Sequence, residues 1–203
     1  MEHPTPQPHE HARPTEAGAA ERDPRSATRI YVASLSDYND GRLHGTWLDA
    51  DAEPDELNDG IQAMLAGSPM CGAEEWAIHD YEGFGPLRVG EYESLATISQ
   101  IGQGIAEHGA AYAHWASICG TDDRDELARF AETYLGHWPS IGEYAENLLD
   151  DLGINDAIER AVPEHLQPYV TVDVDGFARD LEYSGDVTAS EGDNGVYLFD
   201  PNR

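Results

Sequence analysis

The chain has 203 residues, with 40 Asp and Glu against 11 basic residues, a formal charge of −29, and every basic residue is Arg. A surface this acidic has no basic face with which to grip nucleic-acid phosphates or an anionic membrane, so direct binding to either is excluded. A folded interior is not excluded, because 40% of the residues are hydrophobic and 4 Trp, 10 Tyr and 4 Phe are among them. No run of about 18 apolar residues predicts a membrane-spanning helix. The N-terminus carries neither the basic nor the apolar region of a signal peptide. Cys71 and Cys119 form no metal-ligand or redox spacing, and free thiols in the cytoplasm are expected.

Residues 1–28 stand apart. They hold Pro4, Pro6, Pro8, Pro14 and Pro24, three His and almost no large apolar residue, which predicts a disordered tail. The tail and the junction Arg29 together hold five acids and four Arg, so from Ile30 onward 35 acids face 7 Arg, a charge of −28. The acidity therefore belongs to the folded body.

A first unit, 29–90, is expected to be a small α/β domain. The β-branched and aromatic run at 30–35 predicts a strand, Asn39-Asp40-Gly41 a turn, and 43–48 a hairpin partner. Leu57, Ile61, Met64 and Leu65 fall at helical spacing before Gly67. A third strand is predicted at 76–79 and a loop at 80–86.

The middle, 91–153, reads as a helical bundle. Leu95, Ile98, Ile101 and Ile105 mark one helix ending near Gly109, and 112–119 a second, stopped by Gly120. Leu127, Phe130, Ala131 and Tyr134 line a third, opened by the acidic run Asp122, Asp123, Asp125, Glu126. Ser140 and Glu143 match a capping box that opens a fourth, with Tyr144, Leu148, Leu149 and Leu152 inward. The last unit, 154–203, is expected to be mixed α/β. Pro163 and Pro168 bracket a turn, Asp175 caps a helix carrying Phe177, Ala178 and Leu181, and Asp193-Asn194-Gly195 joins two hairpin strands. The fold class is therefore α+β, in three parts.

No catalytic motif is found, and neither a cofactor nor a metal is expected. Gly102-x-Gly104 has Glu107 where a dinucleotide fingerprint needs Gly, and it lies within a helix, so close packing is the simpler reading. Asp49-x-Asp51-x-Glu53 begins like a calcium loop, but Pro54 stands where the sharp turn needs Gly and Gly60 where a bidentate Glu is required. Asp37-x-Asn39 fails likewise at Gly41. His79, His108, His114, His137 and His165 form no i,i+4 pair.

The charge is the remaining signal. Duplex DNA carries one charge per ~1.7 Å of axis, so 28 charges match ~48 Å, or ~14 base pairs, and two copies match ~28. Glu143, Glu146 and Asp150, with Asp151 beside them, recur along one helix at i, i+3 and i+7, a turn apart. Carboxylates so placed can imitate a phosphate row. Composition alone leaves this reading open beside a generic or salt-adapted acidic surface.

Particular runs narrow the choice. Tyr31-Val-Ala-Ser-Leu-Ser-Asp-Tyr-Asn-Asp-Gly-Arg-Leu-His-Gly-x-Trp47 closely resembles the opening of ArdA antirestriction proteins. Ala73-Glu-Glu-Trp-Ala-Ile-His-Asp-Tyr-Glu-Gly-Phe84 and Glu91-Tyr-Glu-Ser-Leu95 resemble the blocks that follow, and Pro163-Glu-His-Leu166 and Ala178-Arg-Asp-Leu-Glu-x-Ser-Gly-Asp-Val187 the C-terminal ones. The likeness spans about 29–199 in the family's order. The tail is outside it, and 99–160 matches only in character.

The resemblance implies a non-enzymatic DNA mimic, carried by mobile elements, that occupies the DNA-binding groove of type I restriction-modification enzymes. It also implies an elongated three-domain fold and a homodimer. Within the matching blocks Asp37, Asp40, Asp80, Glu82, Glu91 and Glu93 are expected to be exposed mimic charges. Tyr31, Leu35 and Trp47 are expected in the core, and Gly41, Gly45 and Gly83 in turns. The rival readings are an acidic adaptor or inhibitor of another basic DNA-binding protein, and an ordinary salt-adapted enzyme.

Overall fold

The computed structural model describes residues 28–203. The expectation of a disordered tail falls, but for Thr28, outside the described residues. The described chain is α+β, with nine α-helices and two three-stranded antiparallel sheets.

The first sheet is ordered β2-β1-β3, from β1 (Arg29–Ser34), β2 (Gly45–Asp49) and β3 (Trp76–Glu82). The expected hairpin partnership holds, with Tyr31 opposite Trp47. Between the first two of these strands lies α1 (Leu35–Asn39), where the sequence predicts a strand end and a turn; the Ser34 hydroxyl caps it by accepting from Asp37 N. Trp47, expected in the core, is 38% exposed on the outer face, between the Tyr31 ring and the Arg29 guanidinium. Gly41 and Gly83 have positive φ, as turn residues should. Gly45 is instead a strand residue, where a Cβ would strike the Val32 carbonyl and the Tyr31 ring. β3 runs three residues past its expected end and takes in Asp80 and Glu82.

α2 (Pro54–Ala66) starts with Pro54 and a capping box between Glu53 and Glu56, and buries Leu57, Ile61, Met64 and Leu65 as their spacing predicts. α3 (Leu95–His108) and α4 (Ala110–Cys119) end at Gly109 and Gly120, both at positive φ. Gly102 and Gly104 serve close packing: a Cβ on Gly102 would meet the Ala50 backbone, and one on Gly104 the Tyr112 ring. Sheet, α2 and α3 enclose a first core of Ile30, Val32, Leu57, Ile61, Ile98 and Ile101.

The middle is not wholly helical. The predicted third helix is two short ones, α5 (Arg124–Ala128) and α6 (Phe130–Thr133), and Tyr134 opens a strand, β4 (Tyr134–Trp138). Tyr134 and Trp138 favour a pleated surface, and β4 is held by pairing with a strand some sixty residues later in the chain. That partner, β6 (Gly195–Phe199), is the centre of the second sheet, with β5 (Thr188–Gly192) on its other side. The two-residue turn Asp193-Asn194 links β5 and β6 with Gly192 opposite Gly195, as expected.

Against this sheet pack α7 (Ile141–Asp151) and α9 (Val174–Ser184), with Ala145, Ala178, Leu181 and Leu198 in the second core. Ser140 caps α7 by accepting from Glu143 N. Asp173 caps α9, in place of the expected Asp175. Leu152, expected inward, is 63% exposed. α8 (Ile154–Ala161) and a 3-10 turn at Gln167–Tyr169 lie between, the helix unannounced by the sequence reading.

A third cluster of Ala111, Tyr112, Trp115, Phe130 and Phe199 joins α4 to β6. His114 adds to this joint: its Nδ1 lies 2.7 Å from Ser190 Oγ and its ring stacks on Tyr197.

Both thiols are free, and they differ in environment. Cys71 is exposed. Cys119 is half-buried; burial, reinforced by Glu126 and Asp123 and only partly opposed by Arg129, pushes its pKa up to about 12. Because the thiolate is the nucleophile, iodoacetamide at about pH 8 should modify one cysteine per folded chain, Cys71, and both after denaturation. Equal rates at the two thiols by mass spectrometry would contradict this burial.

Candidate functional site

Of the 35 acids in the described chain, 31 are exposed, Glu93, Glu126 and Asp200 are half-buried, and Asp37 alone is buried. The charge thus lies almost entirely at the surface. Among the described residues four Arg–carboxylate pairs occur: Arg29 with Glu82, Arg42 with Asp40, Arg129 with Glu126, and Arg203 with Asp200. They leave 31 of the 35 carboxylates with no Arg neutralising them. Three of the sequence-derived candidates, Asp40, Glu82 and Glu126, are in these pairs and present a weakened field.

Asp37 corrects the sequence reading. Expected at the surface, it is fully buried. Its Oδ2 accepts a 2.5 Å hydrogen bond from Ser68 Oγ, which ties α1 to the segment after α2, while Oδ1 has no partner. Burial raises the Asp37 pKa, but hydrogen bonds to Ser68 and Ser34 and the charges of His44 and Arg42 outweigh it, so the carboxyl stays below its ordinary value. Asp37 is a structural ion that sets the α1 corner, and it faces no partner.

The other candidates are at the surface in three settings. Some serve local structure: Asp80 accepts from Tyr81 N, Glu93 from Ser94 N, and Asp123 from the Asp125 and Glu126 amides at the start of α5. The loop and helix acids Glu91, Asp122 and Asp125 are exposed and have no Arg partner among the described residues. The row on α7, Glu143, Glu146, Asp150 and Asp151, is exposed throughout.

Along the helix axis the steps from Glu143 to Glu146 to Asp150 are ~4.5 Å and ~6 Å, of the same order as the ~3.4 Å axial rise between phosphates on one strand. Asp150 and Asp151 sit in the last turn of α7, where the helix dipole disfavours negative charge, and that turn holds no basic residue. Helix stability alone would not put them there. Asp150 accepts from Asn155 Nδ2 at 2.7 Å.

A further array went unassigned from sequence. Asp49, Asp51, Glu53, Asp55, Glu56 and Asp59 occupy eleven residues around the β2–α2 corner, and all six are exposed. The density is visible in the sequence, where Asp49-x-Asp51-x-Glu53 begins like a calcium loop. Among the described residues no group of three or more His, Cys, Asp or Glu converges to hold a metal ion, and no helix is long and apolar enough to cross a membrane.

A family model described as antirestriction protein (ArdA) matches residues 30–195, most of the chain and nearly all of its described part. The chain belongs to the ArdA family. The resemblance carried by the 31–47 and 73–95 runs is thereby confirmed, and the function is antirestriction. A comparison with curated proteins found no match. Within the fold seen here, the resembling blocks 31–47 and 73–95 form β1, α1, β2 and β3 with their connections, and the block 178–187 lies on α9 and just after it, so much of the likeness is in packing and turns, as at Gly41 and the buried Asp37, Ala178 and Leu181.

Proposed function

We propose that this ArdA protein acts as a DNA mimic: its surface carboxylates stand in for phosphates and occupy the DNA-binding groove of a type I restriction-modification enzyme. It works as an inhibitor without chemistry of its own, in the cytoplasm, and protects incoming DNA of mobile elements. The observation that carries this reading is the exposure of 31 of the 35 acids on a body with eight Arg, whose net 27 negative charges equal those of ~46 Å, or ~14 base pairs, of duplex by the charge spacing of DNA. A homodimer doubles that length and is the assembly we propose. A basic groove and an acidic mimic attract at long range, which speeds encounter.

The deciding experiment measures binding to a type I methyltransferase with and without duplex DNA at rising salt. Binding should be competitive with DNA and should fall steadily with log salt, because ion pairs replace counterions. A salt-independent affinity, or simultaneous binding of DNA, would reject mimicry.

A further inference from the structure

The surface around α8 is not uniformly polar. α8 is eight residues long and none of them is buried, yet it carries Ile154 and Ile158 on one side. Between α7, α8 and the segment 167–174 lies a groove of about 410 Å³. Its lining is mixed: Leu149, Ile158, Val170, Val172 and Val174 supply the apolar part, beside Asn155, Gln167 and Thr171 and the acids Glu146, Asp150 and Glu159, with no Arg among the lining residues. Val170 is 41% exposed, and the neighbouring Leu152, Leu166 and Tyr169 are exposed as well. Two of the lining acids, Glu146 and Asp150, belong to the α7 row. A groove that combines five apolar side chains with three carboxylates and no Arg complements one kind of ligand: an apolar side chain flanked by Arg or Lys.

We propose that this groove anchors an apolar side chain from a basic segment of a protein partner, so that the mimic surface contains one discrete, salt-resistant contact. This rests on the reading of the acidic face as a protein-binding surface. It goes beyond that reading in placing an apolar anchor where phosphate imitation alone needs none. The carboxylates supply attraction that salt screens. Burial of the anchor is not screened and should persist as salt rises.

The test titrates the full-length protein with two synthetic peptides of equal positive charge, one alternating Leu and Arg, the other Ser and Arg, followed by methyl NMR of Ile158, Val170 and Val172. The Leu peptide should shift these methyls and bind about ten-fold more tightly than the Ser peptide. That ratio should survive about 0.5 M salt, at which Coulomb attraction is largely lost. Val170→Ser, at an exposed position, should remove the preference and leave the melting temperature in place; Ile158→Ser should do the same if α8 stays folded, which circular dichroism reads.

Equal affinities for the two peptides, or shifts scattered over the acidic face with none at these methyls, overturn the proposal. Shifts of these methyls with protein concentration alone would assign the groove to a second copy and overturn it too. Since neither peptide is a restriction enzyme, failure here is separable from failure of DNA competition at the methyltransferase.

Discussion

Neutralising the α7 row, with Glu143→Gln, Glu146→Gln, Asp150→Asn and Asp151→Asn together, should weaken inhibition of a type I enzyme about 30-fold. The figure follows from ~0.5 kcal/mol for each exposed charge pair, four of which make ~2 kcal/mol. Each single substitution should cost only two- to three-fold by the same arithmetic. Stability should move the other way or not at all. Asp150 and Asp151 oppose the dipole at the end of α7, whereas Glu143 favours it in the first turn. Two small gains against one small loss leave at most ~0.5 kcal/mol, a rise of ~1–2 °C in melting temperature. Asn at 150 keeps an oxygen for the Asn155 amide.

Block and single variants, scored for inhibition and for melting temperature, check both halves. A lone substitution that abolished inhibition in a stable protein would mean a discrete site, and distributed mimicry would be the wrong account. An equal fall in stability and inhibition would mean that the row serves the fold.

The sequence was most informative where local pattern decides structure. Leu57, Ile61, Met64 and Leu65 are buried on α2, and Gly109 and Gly120 end helices, because a 3.6-residue stripe and a residue free to take positive φ act within one turn. It failed where a distant strand decides. Tyr134 fits a helical stripe with Leu127 and Phe130, yet pairing with β6 takes it into a strand, and nothing local records that partner. Leu152 fits the stripe of α7 but is the residue that caps its C-terminal end, and it is exposed.

Among the acids, eleven of the fourteen candidates are exposed and Glu93 and Glu126 are half-buried, since an ionised carboxylate is costly to bury. Asp37 was the exception because Ser68, thirty-one residues away, supplies the hydrogen bond that makes burial tolerable. The acids of the β2–α2 corner are legible as a run, but their spacing fits a coordination pattern only in part, and what distinguishes them is exposure, which the run does not record.

Replacing Trp115 by Ala should cost about 3–5 kcal/mol, as for other fully buried large aromatic side chains. Trp115 is 1% exposed, stacks 5.2 Å from Phe199 and donates from Nε1 to the Glu126 carbonyl at 3.2 Å. It therefore touches β6 of the second sheet and the end of α5 from its place on α4, and its loss opens the cluster that joins the two cores. For a domain of this size such a loss lowers the melting temperature by ~6–20 °C. Trp115→Phe keeps most of the volume and the Phe199 contact and removes one of the two donors to the Glu126 carbonyl, which keeps the Arg129 amide, so it should cost nearer 1 kcal/mol. The functional consequence follows from where the charges sit. The β2–α2 corner lies on the first core and the α7 row on the second, and a charge array matches a groove only while its parts keep their spacing. Inhibition by Trp115→Ala, assayed well below its melting temperature, should therefore fall by more than the unfolded fraction explains, while Trp115→Phe stays close to the parent. Thermal melts and the methyltransferase competition assay read both effects. A melting temperature within about 2 °C of the parent for Trp115→Ala would show that this cluster does not join the two halves.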